Sequence, residues 1–475
     1  MSKINGMMDL GKRSMMNSQT ALSTVGHNIA NRTTEGYSRQ RVEIQTAEPI
    51  GHGKLRIGQG SKTAAVTRVN NPYLEKQIAK ERSTQGYFGG MTDAMTRVEQ
   101  VYNEQMNKGL NNYVGEFFNS FREFANNPES LATRTQVKET AAALVRDFRR
   151  VHTQLTEVQR DIDQQIETHV NQINDLTGEI AKLNEKIQIV QNSGGPANDE
   201  RDRRDLLVKQ LGEKINIRYA EGTDGAVTIT AGNSALLVAG NEWKPMSVHP
   251  TPESDTKGEG HFDIFLKNSP QTAEVKVTDQ LTGGALGGLL EVRDVTIREL
   301  KGDVDQMAYT LGTTVNELHG RGYDMYSRPA GNFFSMPLET KNAAALIDVE
   351  TSVMEDPGRI AGAAQERAPG DNRIANSISQ LQFEGVLNEN SNTMDEFYNS
   401  MVGKVGIQTK RAALSHDNQK NIVGQLTNIR ESVSGVSLDE EATKLIEFQK
   451  AFDASARLIR TADEMFDTVL SLKRM

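Results

Sequence analysis

The sequence has no cysteine, a single tryptophan and few other aromatic residues. The absence of cysteine excludes a disulfide framework, a thiol nucleophile and a zinc site built on thiolates. Hydrophobic residues make up 36% and aromatic residues 5% of the 475-residue chain. This composition is lean for a compact enzyme and favours elongated helical structure with a large share of surface.

Positive net charge and long apolar runs are also missing. The net charge is −9, and phosphate binding needs a basic surface, so no nucleic-acid partner is expected. No window approaches 18 apolar residues, so no membrane insertion is expected. The N-terminus has no apolar run behind a basic segment, so no cleaved secretory signal is predicted. A cytosolic protein, or export by a route without a cleaved signal, remains open.

Catalytic motifs are absent as well. The sequence contains no GxSxG, HExxH or EF-hand pattern, and the glycines of 53–58 lack the following Lys-Ser/Thr of a phosphate loop. His152 and His169 are too far apart for i, i+4 metal binding. The alternating acids and bases of 199–205 predict a solvated face laced with ion pairs, and the glycines of 283–288 predict a linker. We expect no enzyme, no catalytic residue, no cofactor and no metal site.

A heptad repeat near the C-terminus is the most regular pattern that is present. Apolar residues recur every seven positions, at Leu438, Leu445, Phe452, Ile459 and Phe466. An alternate seam of Ala442, Ala456 and Leu470 is interrupted by the polar Gln449 and Asp463. This 4-3 spacing predicts a helix that packs against another helix.

The N-terminal 30 residues carry a matching register. Its positions are Ile4, Met8, Gly11, Met15, Ser18, Leu22, Val25 and Ile29. Gly11 and Ser18 bury little surface, so this helix should be marginal alone and should need a partner. It should end near Asn31, where turn residues begin. Residues 1–43 have six bases and three acids, whereas residues 438–475 have six bases and eight acids, which weakly supports pairing of the two ends.

A long central helix is predicted between Pro128 and Pro196, which enclose no other proline. Its apolar seam shifts register once, around His169. Roughly 60 residues at about 1.5 Å each predict a rod on the order of 90 Å. The seam consists of Val137, Ala141, Leu144, Phe148, Val151, Leu155, Val158, Ile162, Ile166, Ile173, Leu176, Ile180, Leu183, Ile187 and Val190.

The remaining segments alternate between helical and extended patterns. Short strands are predicted in 37–68, and strands with a turn at 257–260 in 212–280. Helices are predicted from Asn71, over 91–124, from a cap at Asn198 or Asp199 to Leu211, and over 286–319, 371–387 and 394–433. Residues 320–369 should be irregular, with a strand near 346–349 and a one-turn helix at Asp356-Pro357.

The fold class expected from these elements is mainly α with an inserted small β domain, a multi-domain α+β chain. A long helical-bundle or coiled-coil core should be built from both the N- and the C-terminal segments. The expected segments are an N-terminal heptad helix at 1–40, a first helical part at 41–211, a β-rich outer domain at 212–282, a returning helical part at 283–433 and a C-terminal heptad helix at 434–475.

The terminal segments resemble those of the axial proteins of the bacterial flagellum, the family of rod, hook and hook-associated proteins. The N-terminal signature covers 21–31 and 34–40, and the C-terminal one covers 438–472, including Gln449, Ala454, Ala456-Arg457, Ile459 and Thr461 to Met465. Within the family, three features are similar to the hook-associated members. They are the long helix 131–191, the segment 197–205 after a glycine turn, and Gly370-Asp371-Asn372 followed by Ala375.

The resemblance implies a structural subunit at the junction between hook and filament. It implies secretion by the flagellar type III export apparatus and polymerisation through the terminal helices, with these helices lining an inner tube and the β domain facing outward. The implied partners are hook protein, the second hook-associated junction protein, neighbouring copies of the chain and a flagellar export chaperone. Two alternatives stay open: a hook or rod axial subunit, and a cytosolic coiled-coil scaffold.

The heptad positions and the N-terminal signature together give candidate assembly residues. In a free subunit they should be disordered, and neighbours should supply the missing partner faces. The N-terminal set is Ile4, Met8, Met15, Leu22, Val25, Asn28, Ile29 and Asn31, and the C-terminal set is Leu438, Leu445, Phe452, Ile459, Phe466 and Leu470.

Overall fold

The computed structural model describes residues 2–52, 55–102, 109–251, 261–267, 273–388 and 390–473. It is mainly helical with small antiparallel sheets, which confirms the expected fold class. The predicted turn at 257–260 lies outside the described residues. The helices are α1 Ser2–Ala30, α2 Pro72–Val101, α3 Leu110–Asn126, α4 Leu131–Asn192, α5 Asn198–Lys214, α6 Gly284–Glu291, α7 Ile297–Gly320, α8 Ala343–Leu346, α9 Thr351–Glu355, α10 Arg373–Gln380, α11 Met394–Ser434 and α12 Leu438–Lys473.

The strands form five small sheets, all antiparallel. β1 pairs with β4, β2 with β3 and β12 with β13, while β5-β6-β7-β8 and β11-β10-β9 form larger sheets. The strands are β1 Gln40–Thr46, β2 Ile50–His52, β3 Leu55–Ile57, β4 Ser61–Arg68, β5 Ile217–Glu221, β6 Val227–Ala231, β7 Ala235–Ala239, β8 Glu242–Trp243, β9 Met246–Pro250, β10 Phe262–Leu266, β11 Val275–Lys276, β12 Phe334–Ser335 and β13 Asp348–Val349.

The 62-residue helix α4 is the spine of the molecule, and the predicted long helix is confirmed. Ser130 caps its N-terminus through the backbone N–H of Thr133, and most of the predicted seam is fully buried. Val170 is buried between Ile166 and Ile173, at the register shift that was predicted near His169. Leu176, Leu183 and Val190 are only half-buried, at the edge of the core.

The two larger sheets pack on the second half of α4 and share its buried core. Asn184, fully buried on α4, ties the first sheet to the helix. Its Nδ2 donates to Val227 O at 2.9 Å and to Gly240 O at 2.8 Å, and its Oδ1 accepts from Val227 N at 3.0 Å. The strands of these two sheets, β5 to β11, lie between α5 and α6 in the chain, as expected. The domain boundaries themselves stay predictions.

A phenylalanine cluster closes the first half of α4. Phe117 and Phe121 of α3 meet Phe333 and Phe334 with tilted rings. Phe124 extends the cluster through an edge-to-face contact with Phe121. The neighbouring residues up to 369 are irregular apart from short elements, and the predicted strand near 346–349 appears as β13. Burial of these rings fixes a long connection to the helical body.

A buried histidine, His319, also holds that connection. Its Nδ1 lies 2.7 Å from Gly331 O, to which it donates, and its Nε2 accepts from Ala361 N at 2.9 Å. Burial lowers the pKa of His319 to about 4, so the ring is neutral at pH 7.

One helix boundary differs from the prediction. α2 runs unbroken through Gly86 and Gly90 to Val101, and the break falls after Tyr102 instead of before Met91. These glycines allow close packing, since a Cβ at Gly86 would lie 2.0 Å from Glu213 O and one at Gly90 would lie 2.4 Å from Ala285 O.

The glycines of 283–288 likewise open α6 and are not a linker. A Cβ at Gly288 would lie 2.1 Å from Tyr87 O, so α6 packs backbone to backbone on α2. A short π-helical segment, Val292–Thr296, then leads into α7, so the predicted helix 286–319 continues through a bulge.

One helix cap and the length of another helix also differ from the prediction. α5 begins after Ala197 with no side-chain cap, because the side chains of Asn198 and Asp199 reach towards the N-terminal segment instead. α10 is shorter than 371–387, since Asp371 accepts backbone N–H bonds before it and a 3₁₀ turn, Leu381–Phe383, follows it. The one-turn helix at Asp356-Pro357 is confirmed.

Candidate assembly interface

The two ends of the chain meet, because α1 packs along α12. All eight positions of the predicted N-terminal register, from Ile4 to Ile29, are buried or half-buried. α1 also lies on the β1–β4 hairpin, where Asn17 Nδ2 donates to Ser61 O at 2.9 Å and Asn17 Oδ1 accepts from Thr63 N at 2.9 Å. A helix predicted to be marginal alone thus has two partners.

The seam of α12 only partly matches the prediction. Leu445, Phe452, Ile459 and Phe466 are half-buried and turn towards α1. Leu438 and Leu470 are each 41% exposed. Four of the six predicted C-terminal positions therefore lie in this contact, and the two at its ends do not.

The alternate seam was predicted on the wrong side of α12. The row that is buried or half-buried consists of Glu441, Phe448, Ser455 and Ala462. Four of the five residues of the predicted row are exposed. The row comprises Ala442, Gln449, Ala456, Asp463 and Leu470, of which Ala456 is half-buried. Small residues flank the seam on both sides, so spacing alone could not predict which side of α12 faces α1. Two polar contacts determine that side.

The first of these contacts joins two serines at the middle of the pair. Ser455 Oγ donates to Ser14 Oγ at 2.7 Å. One turn earlier, a Cβ on Gly11 would lie 2.6 Å from Ile459 Cγ1 and 3.0 Å from Leu458 Cδ2. Gly11 therefore allows the close approach of the two helices and is not merely a weak seam position.

The second contact is Asn28, which is 1% exposed and uses its whole amide. Asn28 Nδ2 donates to Gln40 O and to Glu441 Oε2, both at 2.9 Å. Asn28 Oδ1 accepts from Tyr37 Oη at 2.8 Å and from Gln40 N at 2.9 Å. Two donors and two acceptor bonds satisfy the side chain completely, so α1, the following turn and α12 are fixed in one register.

The other signature asparagine, Asn31, has a local role. Its Nδ2 donates to His27 O at 3.1 Å at the end of α1, and it does not reach α12. His27 Nε2 lies 3.2 Å from Asp199 Oδ1, which also accepts from Gln40 Nε2 at 2.7 Å. The end of α1 is thereby tied to α5.

Residues 34–40, which we call the signature turn, rest on the charged face of α5. Ser38 N donates to Asp202 Oδ2, and Arg68 Nη1 donates to Asp202 Oδ1, both at 2.8 Å. Burial raises the pKa of Asp202 despite these bonds. Asp202 and Arg204 are 6% and 1% exposed, whereas Asp199 and Arg203 are exposed, so the prediction of a solvated face holds for only part of this segment. The ion pairs exist, but the signature turn contacts Asp202, and Arg204 is buried where its Nη1 donates to Gly225 O.

α11 and α12 approach the signature turn from the other side. Arg430, buried on α11, donates through Nη2 to Gly36 O at 2.9 Å and to Tyr37 O at 3.0 Å, and through Nε to Glu75 Oε1 at 3.1 Å. Arg39 N donates to Ser434 O, and Arg39 Nη1 to Glu440 Oε2, both at 2.8 Å. The turn therefore joins α1, α2, α5, α11 and α12.

Sequence reasoning missed several of these residues. Glu441, a buried acid inside a heptad seam, could have been found as a polar residue at an apolar position. Arg430 and Glu75 carry no local signal, and the partner of Arg430 on α2 is remote in sequence. Asp202 was noticed as part of an ion-paired segment, but its bond to Ser38 N was not predicted. Burial and nearby carboxylates, Asp199 first, raise the pKa of Tyr37, so its hydroxyl stays a hydrogen-bond donor to Asn28.

The described residues were also searched for other kinds of site. They contain no group of three or more side chains placed to hold a metal ion. None of the described helices has a stretch long and apolar enough to cross a membrane.

Comparison with known proteins connects this chain to the flagellum. Residues 95–334 match the family described as flagellar hook-associated protein FlgK helical domain. Residues 431–472 match that described as flagellar basal body rod FlgEFG protein C-terminal.

Full-length relatives are similar as well. Flagellar hook-associated protein 1 of Bacillus subtilis is 25% identical, over 98% of this chain and 97% of its own. The protein of that name from Salmonella typhimurium is 24% identical over 96% and 97%. Flagellar hook protein FlgE of Treponema pallidum is 23% identical over 98% of each chain.

The fold is shared with a solved structure. The flagellar hook junction protein FlgK from Burkholderia pseudomallei superposes with a TM-score of 0.67 at 15% identity, over 75% of this chain and all of that one. This likeness concerns the architecture of helices and sheets.

The fold and the joined termini define a class of structural subunit, a helical body whose two terminal helices pair with each other. The helical-domain match covers just over half of the chain. The chain belongs to the flagellar hook-associated protein FlgK family.

Proposed function

We propose that this chain is the structural subunit that forms the junction between the hook and the filament of the bacterial flagellum. The observation that carries the proposal is the α1–α12 pair. Asn28 and the signature turn hold this pair in a fixed position against the rest of the chain. A subunit that polymerises through its ends needs those ends in a fixed geometry, and this polar cluster supplies it.

The terminal pair also leaves apolar surface uncovered. Met7, Met16, Ile446, Met465 and Val469 are all more than a third exposed. A row of such residues on two long helices is typical of surfaces that other chains cover. Neighbouring copies of the chain, hook protein and the second hook-associated junction protein are the proposed partners, in a short ring between hook and filament.

Export belongs to the same proposal. A chain without cysteine and with weakly specified terminal helices suits passage in an unfolded state through the flagellar type III export apparatus. The terminal segments, which need partners, would be held by an export chaperone until assembly. The proposed location is outside the cell, at the hook–filament junction.

Immunolabelling of isolated hook–basal bodies tests the function most directly. We expect label confined to the distal end of the hook, and filament loss when the chain is deleted. Label along the whole hook or rod would favour a hook or rod subunit, to which the likeness to a hook protein gives some weight. Retention in the cytosol when the exporter is intact would favour a cytosolic scaffold and contradict the proposal.

Removal of α12 gives a second test. Deletion of residues 440–475 should abolish incorporation at the junction while α4 and its sheets remain folded, because their core does not include α12. Circular dichroism and limited proteolysis check the body, and immunolabelling checks incorporation. A truncated chain that still supports attached filaments would contradict the role of the terminal pair.

A further inference from the structure

One face of α11 presents apolar side chains that no other described part of the chain covers. Ile407, Leu414, Ile422 and Ile429 are spaced by seven, eight and seven residues, which places them on a single side of the helix. All four are more than 40% exposed, and Ile407 reaches 70%. We call this set the α11 stripe.

The backbone beside the stripe is open to a close neighbour. A Cβ at Gly406 or Gly424 would meet no atom within 4 Å, so packing within the subunit does not require either glycine. A glycine inside a helix costs about 1 kcal/mol relative to alanine. Beside the stripe, between α2 and α11, runs a groove of about 710 Å³ lined in part by Arg82, Gln85 and Gly424.

A second uncovered row lies on α12. Leu438, Ala442 and Ile446 are exposed and Ala456 is half-buried, on the flank that α1 does not cover. The row runs over residues 438–456 and the α11 stripe over residues 407–429, or about 27 Å and 33 Å of helix. The two surfaces are therefore matched in length and both are aliphatic.

Charge distinguishes the possible partners of the stripe. Between Ile407 and Ile429 the charged residues are Lys410, Arg411, Asp417 and Lys420, a balance of +2. Residues 438–456 of α12 carry five acids and two bases, a balance of −3. Opposite signs favour contact of α11 with α12, whereas two copies of α11 would repel each other.

We propose that the α11 stripe of one copy seats the open row of α12 of a second copy. The partner is thus this chain itself, in a contact where different surfaces meet. Because α11 leads directly into α12, each copy can offer its stripe to one neighbour and its α12 row to another. A heterologous contact of this kind generates rings or helical assemblies. The inference rests on the proposed function, since it needs subunits assembled side by side.

Photo-crosslinking in assembled flagella tests the contact. A benzoylphenylalanine is placed at Leu414 or Ile422, or at Leu338 as a control that is 97% exposed and lies outside α11. Each variant is expressed in cells that lack the native chain, and cross-links between copies are recognised because they give dimers of doubled mass. Positions on an exposed face should leave folding intact.

We expect dimers from both stripe positions, with the cross-linked peptides within 438–456 of the second copy, and at most one-tenth of that yield from Leu338. Cross-links to α11 of the second copy, to another flagellar protein or to another segment would overturn the proposal, as would yields no higher than the control. The Leu338 variant also reports location: if it reaches the junction but the stripe forms no α12 cross-link, only this inference fails.

Charge reversal gives a second readout. Lys410→Glu with Lys420→Glu should lower the dimer yield at least several-fold, and adding Asp439→Lys with Glu447→Lys should restore it. Loss without restoration would contradict the pairing of α11 with α12.

Discussion

α4 and the terminal pair α1–α12 carry the same heptad pattern but bury it to different depths. The seam of α4 is almost entirely inaccessible, whereas Leu445, Phe452, Ile459 and Phe466 of α12 are only half-buried. α4 is surrounded by helices and two sheets, while α12 has α1 on one side only. The chain itself therefore completes the core around α4, and we propose that neighbouring copies complete the seam of α12.

The largest expected effect distinguishes the seam of α4 from the seam of α12. Ile162→Ala empties a fully buried site on α4 and should lower the free energy of unfolding by about 2–5 kcal/mol. The matched change Ile459→Ala, at a half-buried site, should cost the free protein less than about 1 kcal/mol but should reduce incorporation at the junction. Urea unfolding measures the first quantity and immunolabelling the second. Equal losses of unfolding free energy would remove the distinction.

A somewhat smaller effect is expected at Asn28. Asn28→Leu keeps the branched shape of the side chain but leaves Glu441 and the Tyr37 hydroxyl without their bonds to Asn28, which should cost about 1–3 kcal/mol. In isolated hook–filament junctions, where α1 and α12 should be protected, the loss should appear as faster hydrogen exchange in both helices, with α4 unchanged. Asn31→Leu, which removes only a local bond to His27, is the control and should leave α12 unaffected. An identical response of both variants would contradict the register role of Asn28.

Two glycines of α1 should respond in opposite directions. Gly26→Ala meets no atom within 4 Å and should stabilise α1 by about 0.5–1 kcal/mol through helix propensity. Gly11→Ala gains the same propensity but pushes against Ile459 and should give no net gain or a loss. Hydrogen exchange of α1 in isolated hook–filament junctions compares the two variants. Stabilisation by Gly11→Ala equal to that by Gly26→Ala would show that the helices do not approach as described.

An effect of similar size depends on pH and concerns only the helical body. The pKa of His319 is about 4 in the folded chain against an ordinary value of 6.5, so the unfolded chain binds the proton more readily between these values. Stability conferred by the neutral ring is therefore full above pH 6.5 and should fall by about 1 kcal/mol between pH 6.5 and 5.5. Urea unfolding should show this fall in the native chain and less of it in His319→Asn. The exposed His249→Asn is the control, and an unchanged slope in His319→Asn would contradict the assignment.

Much of this architecture could be predicted from sequence spacing. The long helix, the small sheets, the terminal helices and the N-terminal register follow from local periodicity, which the structure obeys. The side of α12 that meets α1 could not be predicted, because Ala442 and Ala456 look as suitable as Ser455 and Ala462. That choice depends on Asn28 and Ser14, whose partners are more than 400 residues away. Gly86 and Gly90 led to a wrong prediction of a helix break before Met91. A glycine that allows close packing and a glycine that breaks a helix look the same in the sequence.

Hydrogen exchange on the free and the assembled protein tests the central claim most directly. In the free protein, we predict slow exchange along α4 and fast exchange over residues 1–40 and 440–475. In isolated hook–filament junctions, we predict that α1 and α12 become protected to a level close to that of α4. Equal, strong protection of both terminal helices in the free protein would contradict the view that neighbouring copies complete their core.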